Sequence, residues 1–315
     1  MADLSVAVVG AGVHGSRYAE HLLRLEVPGA RLAGVCRRTA TDAERWRSRG
    51  VRFETDFSVL VDDPSVDAFV VASPPDCHEE HALAILSRGK PLLLEKPVAP
   101  DMAACGRIRE AAERAGVPVR VGHTHRYNPV AAAFREEARR MLPLRHLSLS
   151  QRHERMPMAW QHREPGGGAL LCLGVHMADL ARWITGEEIA AVLSCVERRE
   201  PGEAEGSAAV AARLTSGTSL AVEVSIAAPV RRGSLEAFGA GGFSLEGDLV
   251  LHELRRRRGR GVEPVPLPPP LPGIVPLLRD FVSAARGGAW GDAATLADGI
   301  AAVAFVERCR QVAVR

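Results

Sequence analysis

Forty of the 315 residues are basic, and only Lys90 and Lys96 are lysines; the remaining 38 are arginines. An arginine holds anions well but cannot lend a proton, because its pKa lies above about 12. A lysine in such a background marks a place where an ammonium has a use. Lys96 stands in Glu95-Lys96-Pro97, directly after the apolar run Leu92 to Leu94. If that run is a strand of a parallel sheet, Lys96 lies at its carboxyl end, where such sheets bind ligands.

Gly10-Ala11-Gly12-Val13-His14-Gly15 is a G-x-G-x-x-G after a strand-like run, Leu4 to Val9, and before a helix-like one. That context makes it a dinucleotide fingerprint. Gly10 allows the tight turn, Gly12 lets a pyrophosphate approach the backbone, and Gly15 lets helix and strand pack closely. The end of the second strand should carry an acid if the adenosine ribose is free. Here Cys36 is followed by Arg37 and Arg38, and Arg37 comes 22 residues after Gly15. Two guanidiniums there suit a 2′-phosphate, so NADP(H) is expected over NAD(H). His78-Glu79-Glu80-His81 spaces its histidines three apart. It is not His-Glu-x-x-His and has no third ligand nearby, so no metal is expected.

These residues need a frame. Strand-like runs at Leu4 to Val9, Arg31 to Cys36, Ala68 to Ala72, Leu92 to Leu94 and Val117 to Val121 alternate with helical periodicity. The helices are expected near Ser16 to Leu25, Thr41 to Arg49, the stretch ending at Arg88, and from an Asp101 N-cap to Gly116. This is the pattern of a doubly wound parallel sheet. After residue 122 the pattern changes. A helix near Pro129 to Arg140 precedes strands at Leu144 to Arg152, Ile189 to Val196, Ala208 to Leu214, Leu220 to Ile226 and Gly233 to Phe238. A helix between Ala169 and Ile184 interrupts them, and two more close the chain near Ile274 to Ala285 and Ala293 to Val312. The expected fold is α/β: a Rossmann domain over 1–122, then an α+β domain over 123–315 with a large open, mostly antiparallel sheet. Arg255 to Arg258 reads as a solvated strand end and Pro264 to Pro272 as an extended loop.

Composition excludes much else. A net charge of +2 argues against nucleic acid as a partner. No apolar run reaches the roughly 18 residues of a membrane span, and the first ten residues lack a signal-peptide pattern. A cytoplasmic protein is expected. Six scattered cysteines without a Cys-x-x-Cys fit neither a disulfide scaffold nor a zinc finger.

The chain resembles the Gfo/Idh/MocA oxidoreductases. The resemblance rests on Gly10 to Gly15, Ser73-Pro74-Pro75-Asp76-Cys77-His78, and Gly89-Lys90-Pro91-Leu92-Leu93-Leu94-Glu95-Lys96-Pro97. It continues in Arg126-Tyr127-Asn128-Pro129 and in Gly166-Gly167-Gly168 running on to His176-Met177-Ala178-Asp179. It implies a nicotinamide-dependent dehydrogenase or reductase of a sugar, cyclitol or similar polyhydroxy substrate, working as a homodimer or homotetramer. By that resemblance Lys96 holds the reacting substrate oxygen and His176 exchanges the proton. The cofactor set is Gly10, Gly12, Val13, His14, Gly15, Arg37, Arg38, Ser73, Pro74, His78, Glu95 and Lys96. The substrate set is Arg126, Tyr127, His153, Cys172 and His176. His81 is left as a helix-surface residue, and Lys90 as a structural, solvent-facing one.

Elementary chemistry agrees with these roles. A fixed cation stabilises the alkoxide formed when a carbonyl is reduced, and a histidine titrating near pH 6.5 can supply or take the proton. The departure is Cys172, where the family usually has an aspartate. At about 100° per residue, Cys172, His176 and Asp179 share one helix face. Asp179 is expected to substitute in part as a third catalytic residue, and Cys172 reads as a small filler. His123, His125, His153 and His162 could together make a polar substrate pocket, with Trp160 and Arg163 as weaker candidates. Two other functions fit the same fold. One is a non-catalytic cofactor-binding sensor, motivated by Cys172. The other is a redox-neutral enzyme that keeps its cofactor.

Overall fold

The computed structural model describes residues 2–314, which form two compact units. The first comprises residues up to Thr124 together with Gly273–Asp298, and the second His125–Pro272 with Gly299 onward. The expected cut at 122/123 into two continuous segments needs correcting: residues 273–298 return to the first unit. Physical ties explain the return. Strand Ala294–Thr295 pairs antiparallel with Val119–Val121, and Arg286 Nη2 donates to the Gly29 carbonyl at 2.7 Å. The Arg120 guanidinium lies 3.8 Å from the Trp290 ring centroid, a cation–π contact.

The first unit is built on a seven-stranded sheet. From one edge its strands are Ala294–Thr295, Val119–Val121, Leu92–Leu94, Ala68–Val71, Leu4–Val9, Ala30–Cys36 and Phe53–Glu54. Apart from Ala294–Thr295, neighbours run parallel. The central strands are apolar and buried on both faces, as crossover helices require. Sequence order reverses between Leu4–Val9 and Ala68–Val71, so the ligand crevice of such a sheet lies outside their carboxyl ends. Helix Met102–Ala115 begins at Asp101, whose side chain accepts from the Ala104 N–H at 2.8 Å, and stops at a left-handed Gly116.

The second unit carries a nine-stranded mixed sheet. Its order is Gly261–Pro264, Glu253–Arg258, Phe243–Asp248, Arg232–Gly239, Leu144–Arg152, Ser219–Ser225, Glu205–Leu214, Ile189–Arg199 and Ala313–Val314. Neighbours are antiparallel, with two parallel exceptions: Leu144–Arg152 beside Ser219–Ser225, and Ala313–Val314 beside Ile189–Arg199. Burial alternates along Glu205–Leu214 and Arg232–Gly239, so one face packs and the other meets solvent. The packed face meets helices Pro129–Arg139 and Val175–Thr185 over a core including Phe134, Leu147, Leu149, Met177, Leu180 and Phe305.

The arginine run forms the end of strand Glu253–Arg258, and its solvated side chains also meet partners on neighbouring elements: Arg256 with Glu137 and Glu263, Arg257 with Glu246, Arg258 over the Phe243 ring. One detail differs from expectation. Lys90 does not face solvent. Its ammonium donates to the Val61 and Asp63 carbonyls at 2.9 and 2.7 Å. All six cysteines are free thiols. Among the described residues no helix is long and apolar enough to cross a membrane, and no group of three His, Cys, Asp or Glu side chains is placed to hold a metal.

Candidate functional site

In the first unit the glycine turn sits at the carboxyl end of Leu4–Val9. The Gly10 and Ala11 N–H groups donate to the Cys36 carbonyl at 2.9 and 3.0 Å, tying the turn to the second strand. Gly10 has φ +90°, and a side chain there would strike the backbone of Ala72 and Ser73. A Cβ on Gly15 would sit 2.2 Å from the Gly10 carbonyl oxygen. Gly12 differs: a Cβ there meets nothing within 4 Å, so its backbone faces open space. Just beyond, helix Gly15–Leu23 begins; the Ser16 and Arg17 N–H groups donate to the Gly12 and His14 carbonyls at 2.9 and 3.0 Å, and the positive end of the helix dipole stands beside the turn. A tight turn, an open approach at the middle glycine and a positive helix end together fit a pyrophosphate.

At the strand end where the adenosine ribose would be read, Arg37 pairs with Asp42 and Arg38 is exposed. Asp42 thus neutralises one of the two guanidiniums. Ser73 and Pro74 follow strand Ala68–Val71 on the other side of the crevice. His78 is fully buried, with Nδ1 2.8 Å from the Pro97 carbonyl and Nε2 2.8 Å from the Ser73 carbonyl. It joins the loops that follow two neighbouring strands. Burial lowers its pKa, against the pull of those carbonyls. His81 is not a surface residue. Its Nδ1 meets Ser73 Oγ at 3.0 Å, its ring packs on Phe57, and burial pushes its pKa down to about 4.

Glu95 is the hub of this unit's site. It is buried, and its Oε1 accepts from the Tyr18 hydroxyl at 2.5 Å and meets His14 Nε2 at 2.9 Å. Its Oε2 accepts from the Lys96 N–H at 3.0 Å. Burial alone would raise its pKa, but the charge and hydrogen bond of His14, the Lys96 ammonium and the Tyr18 hydroxyl outweigh it and hold the carboxyl down at about 2. A permanent carboxylate therefore links the glycine-turn helix to the strand end that carries Lys96. Tyr18 was not singled out from sequence, although it lies three residues after Gly15.

In the second unit Arg126 and Asp179 form a buried bidentate pair. Arg126 Nε donates to Oδ2 at 2.9 Å and Nη2 to Oδ1 at 2.5 Å. A carboxylate compensated by a guanidinium has less charge to lend a neighbouring imidazole, so the expected part of Asp179 in a proton relay is weakened by its own bonds. The pair fastens segment Thr124–Tyr127 to helix Val175–Thr185. Asn128 caps the next helix, accepting from the Val130 N–H at 2.9 Å. His176 is buried, and its ring stacks on His125 with centroids 4.2 Å apart and planes 19° from parallel.

Cys172 is buried in a π-helical turn, Leu170–Gly174, that runs directly into helix Val175–Thr185. Uniform α-helical winding puts Cys172, His176 and Asp179 on one face, whereas a π-turn is wider and changes that spacing. Glu205, also unsuspected from sequence, supports the turn: its buried carboxylate accepts from the Leu170 N–H at 3.1 Å, and burial raises its pKa. His153 is half-buried with Nδ1 2.7 Å from the Glu154 carbonyl. His162 is buried against the Met156 carbonyl, Tyr127 and Trp160 are partly buried, and Arg163 is exposed.

Residues 4–123 match the model of an oxidoreductase family with an NAD-binding Rossmann fold, Gfo/Idh/MocA, and residues 143–243 match that family's C-terminal domain. Inositol 2-dehydrogenase 2 of Saccharopolyspora erythraea is 36% identical over 210 residues, 62% of this chain and 58% of that protein, so less than two thirds of that relative is spanned. The rhizopine catabolism protein MocA of Rhizobium meliloti is 27% identical over 99% of this chain and 96% of its own. The crystal structure of aldose-aldose oxidoreductase from Caulobacter crescentus superposes with a TM-score of 0.87 at 21% identity, covering 98% of each chain. With both of its halves matched by the corresponding domain models, the chain belongs to the Gfo/Idh/MocA oxidoreductase family.

Proposed function

We propose that the protein is an NADP(H)-preferring dehydrogenase or reductase that moves a hydride between the nicotinamide and a hydroxyl or carbonyl carbon of a cyclitol, sugar or similar polyhydroxy compound. The observation that carries this reading is the carboxylate hub: Glu95 joins the dinucleotide-turn helix to the strand end bearing Lys96. The name of the Saccharopolyspora relative supports a cyclitol-like substrate.

Gly10 to Gly15, Ser73, Pro74 and Arg38 would hold the cofactor, and when bound its C4 supplies or accepts the hydride. Lys96 holds the substrate oxygen, where its ammonium stabilises the negative charge that develops as a carbonyl is reduced. His176 gives or takes the proton at that oxygen. Tyr127 and His153 contribute polar contacts to substrate hydroxyls. The Arg126–Asp179 pair holds the His176 helix rather than the substrate. Arg38 carries the preference for a 2′-phosphate, as the exposed guanidinium beside the Arg37–Asp42 pair. The solvent face of the nine-stranded sheet exposes Leu193, Val196, Phe238 and Val262, and we propose that it pairs with a second copy.

The test is Lys96→Ala. Turnover should vanish while NADPH affinity stays within about tenfold, roughly 1.4 kcal/mol. Unchanged turnover overturns the assignment. Cys172 favours one competing reading, a cofactor-binding protein without catalysis; it predicts saturable NADPH binding and no turnover with any polyol or ketone. Tighter binding of NAD(H) than NADP(H) in a direct titration refutes the cofactor preference.

A further inference from the structure

We propose that His81 is a positioning residue acting through Ser73: it accepts the hydrogen bond of the Ser73 hydroxyl, so that the Ser73 oxygen meets the dinucleotide as an acceptor for a ribose hydroxyl and not as a donor to phosphate. This role rests on the reading of Ser73 as a cofactor contact.

His78-Glu79-Glu80-His81 thereby has a use other than metal binding. Its two histidines stand three positions apart, on one face of helix His78–Ser87. That face holds Ser73 at two points. His78 Nε2 lies 2.8 Å from the Ser73 carbonyl, and His81 Nδ1 lies 3.0 Å from Ser73 Oγ. Ser73 is also pressed against the dinucleotide turn, since a Cβ on Gly10 would sit 2.3 Å from its nitrogen.

A serine hydroxyl left to itself rotates, and it can donate or accept as a ligand demands. His81 removes that choice. Its ring packs edge-on against Phe57, with centroids 4.4 Å apart. Burial first, and the neighbouring His78 second, push its pKa down to about 4. The ring is therefore neutral near pH 7, with one N–H and one lone pair. A neutral imidazole intrinsically prefers its proton on Nε2, which leaves the Nδ1 lone pair to accept from the Ser73 Oγ–H. With its only hydrogen committed, Oγ has lone pairs alone to offer. A phosphate oxygen is itself an acceptor and gains nothing from them; a ribose hydroxyl can donate to them. The phosphates are left to the open approach at Gly12 and the positive helix end beside it.

The experiment pairs NMR of the cofactor-free full chain with a double-mutant cycle on dinucleotide binding. With histidine labelled at its ring nitrogens and His81 assigned by substitution, the nitrogen shifts distinguish a bare nitrogen from a protonated one. His81 Nδ1 should be bare and Nε2 protonated. NADPH and NADH are then titrated by fluorescence into Ser73→Ala, His81→Phe and the double variant. Each single change should weaken both dinucleotides about three- to tenfold, because both carry ribose hydroxyls, and the double variant should be no weaker than either single one. His81→Asn offers a carbonyl oxygen in place of Nδ1 and should bind within about twofold of wild type. It is also the second variant should the phenylalanine disturb folding. A proton on His81 Nδ1, no loss in His81→Phe, or losses that simply add in the double variant each overturn the proposal. Unchanged affinities in Ser73→Ala overturn it as well and remove Ser73 from the cofactor set. In that case Gly12→Ala, titrated alongside, separates the two failures: weakened binding leaves the dinucleotide reading standing, and unchanged binding overturns that reading too.

Discussion

Glu95→Gln isolates the charge of the hub. Glutamine keeps the size of the side chain and one acceptor oxygen, and it mimics the protonated acid. The carboxyl is held at about 2, against an ordinary 4.5. That depression corresponds to about 3 kcal/mol favouring the folded first unit when the group is ionised. The folded pKa lies below the unfolded one, so the contribution is present in full above about pH 4.5 and is lost as pH falls toward 2. Near pH 3 about 1 kcal/mol should remain. The assay is urea unfolding of wild type and variant at pH 7 and pH 3, followed by tryptophan fluorescence, which reports on the buried Trp46. The variant should be less stable by about 3 kcal/mol at pH 7 and by less than half of that at pH 3. An equally stable variant at pH 7, or a deficit that does not shrink on acidification, refutes the electrostatic account of the hub. A further consequence is functional. If the carboxylate fixes Lys96 relative to the glycine turn, Glu95→Gln should lower kcat more than it raises the KM for cofactor.

The two outer members of the glycine motif should respond differently from the middle one. Gly12→Ala has room for its methyl group, so the melting temperature should hold while dinucleotide affinity falls by about tenfold or more, measured by fluorescence titration. Gly15→Ala meets the Gly10 carbonyl at 2.2 Å and should cost about 1–3 kcal/mol of stability in denaturant unfolding. Removing one partner of the buried Arg126–Asp179 pair, as in Asp179→Asn, should destabilise by about 3–5 kcal/mol, and Arg126→Met with Asp179→Leu should recover much of that in the same unfolding assay. Arg38→Ala should weaken NADPH binding about tenfold and leave NADH binding near its original value, by direct titration of each.

The sequence by itself determined the kind of sheet in each half and the position of the dinucleotide turn. Those features are local: a run of apolar residues ending in Gly10, a helix after Gly15, and a strand from Leu92 to Leu94 are each set by neighbours along the chain. Lysine scarcity also sets Lys96 apart in the sequence. Tertiary structure decided the rest, because the deciding partners are distant in sequence. Glu95 meets residues 77 and 81 positions away, and Arg126 meets an aspartate 53 positions on. His125 and His176 become neighbours only when segment Thr124–Tyr127 lies against helix Val175–Thr185. Residues 273–298 rejoin the first unit because a two-residue strand and an arginine find partners there, and neither leaves a period in the sequence. The arginine run reads as solvated, and it is; only the sheet decides that Glu137, Glu246 and Glu263 stand beside it. Periodicity reports which face of an element is apolar. It does not report which buried charges will compensate one another, and that compensation sets the properties of the candidate site.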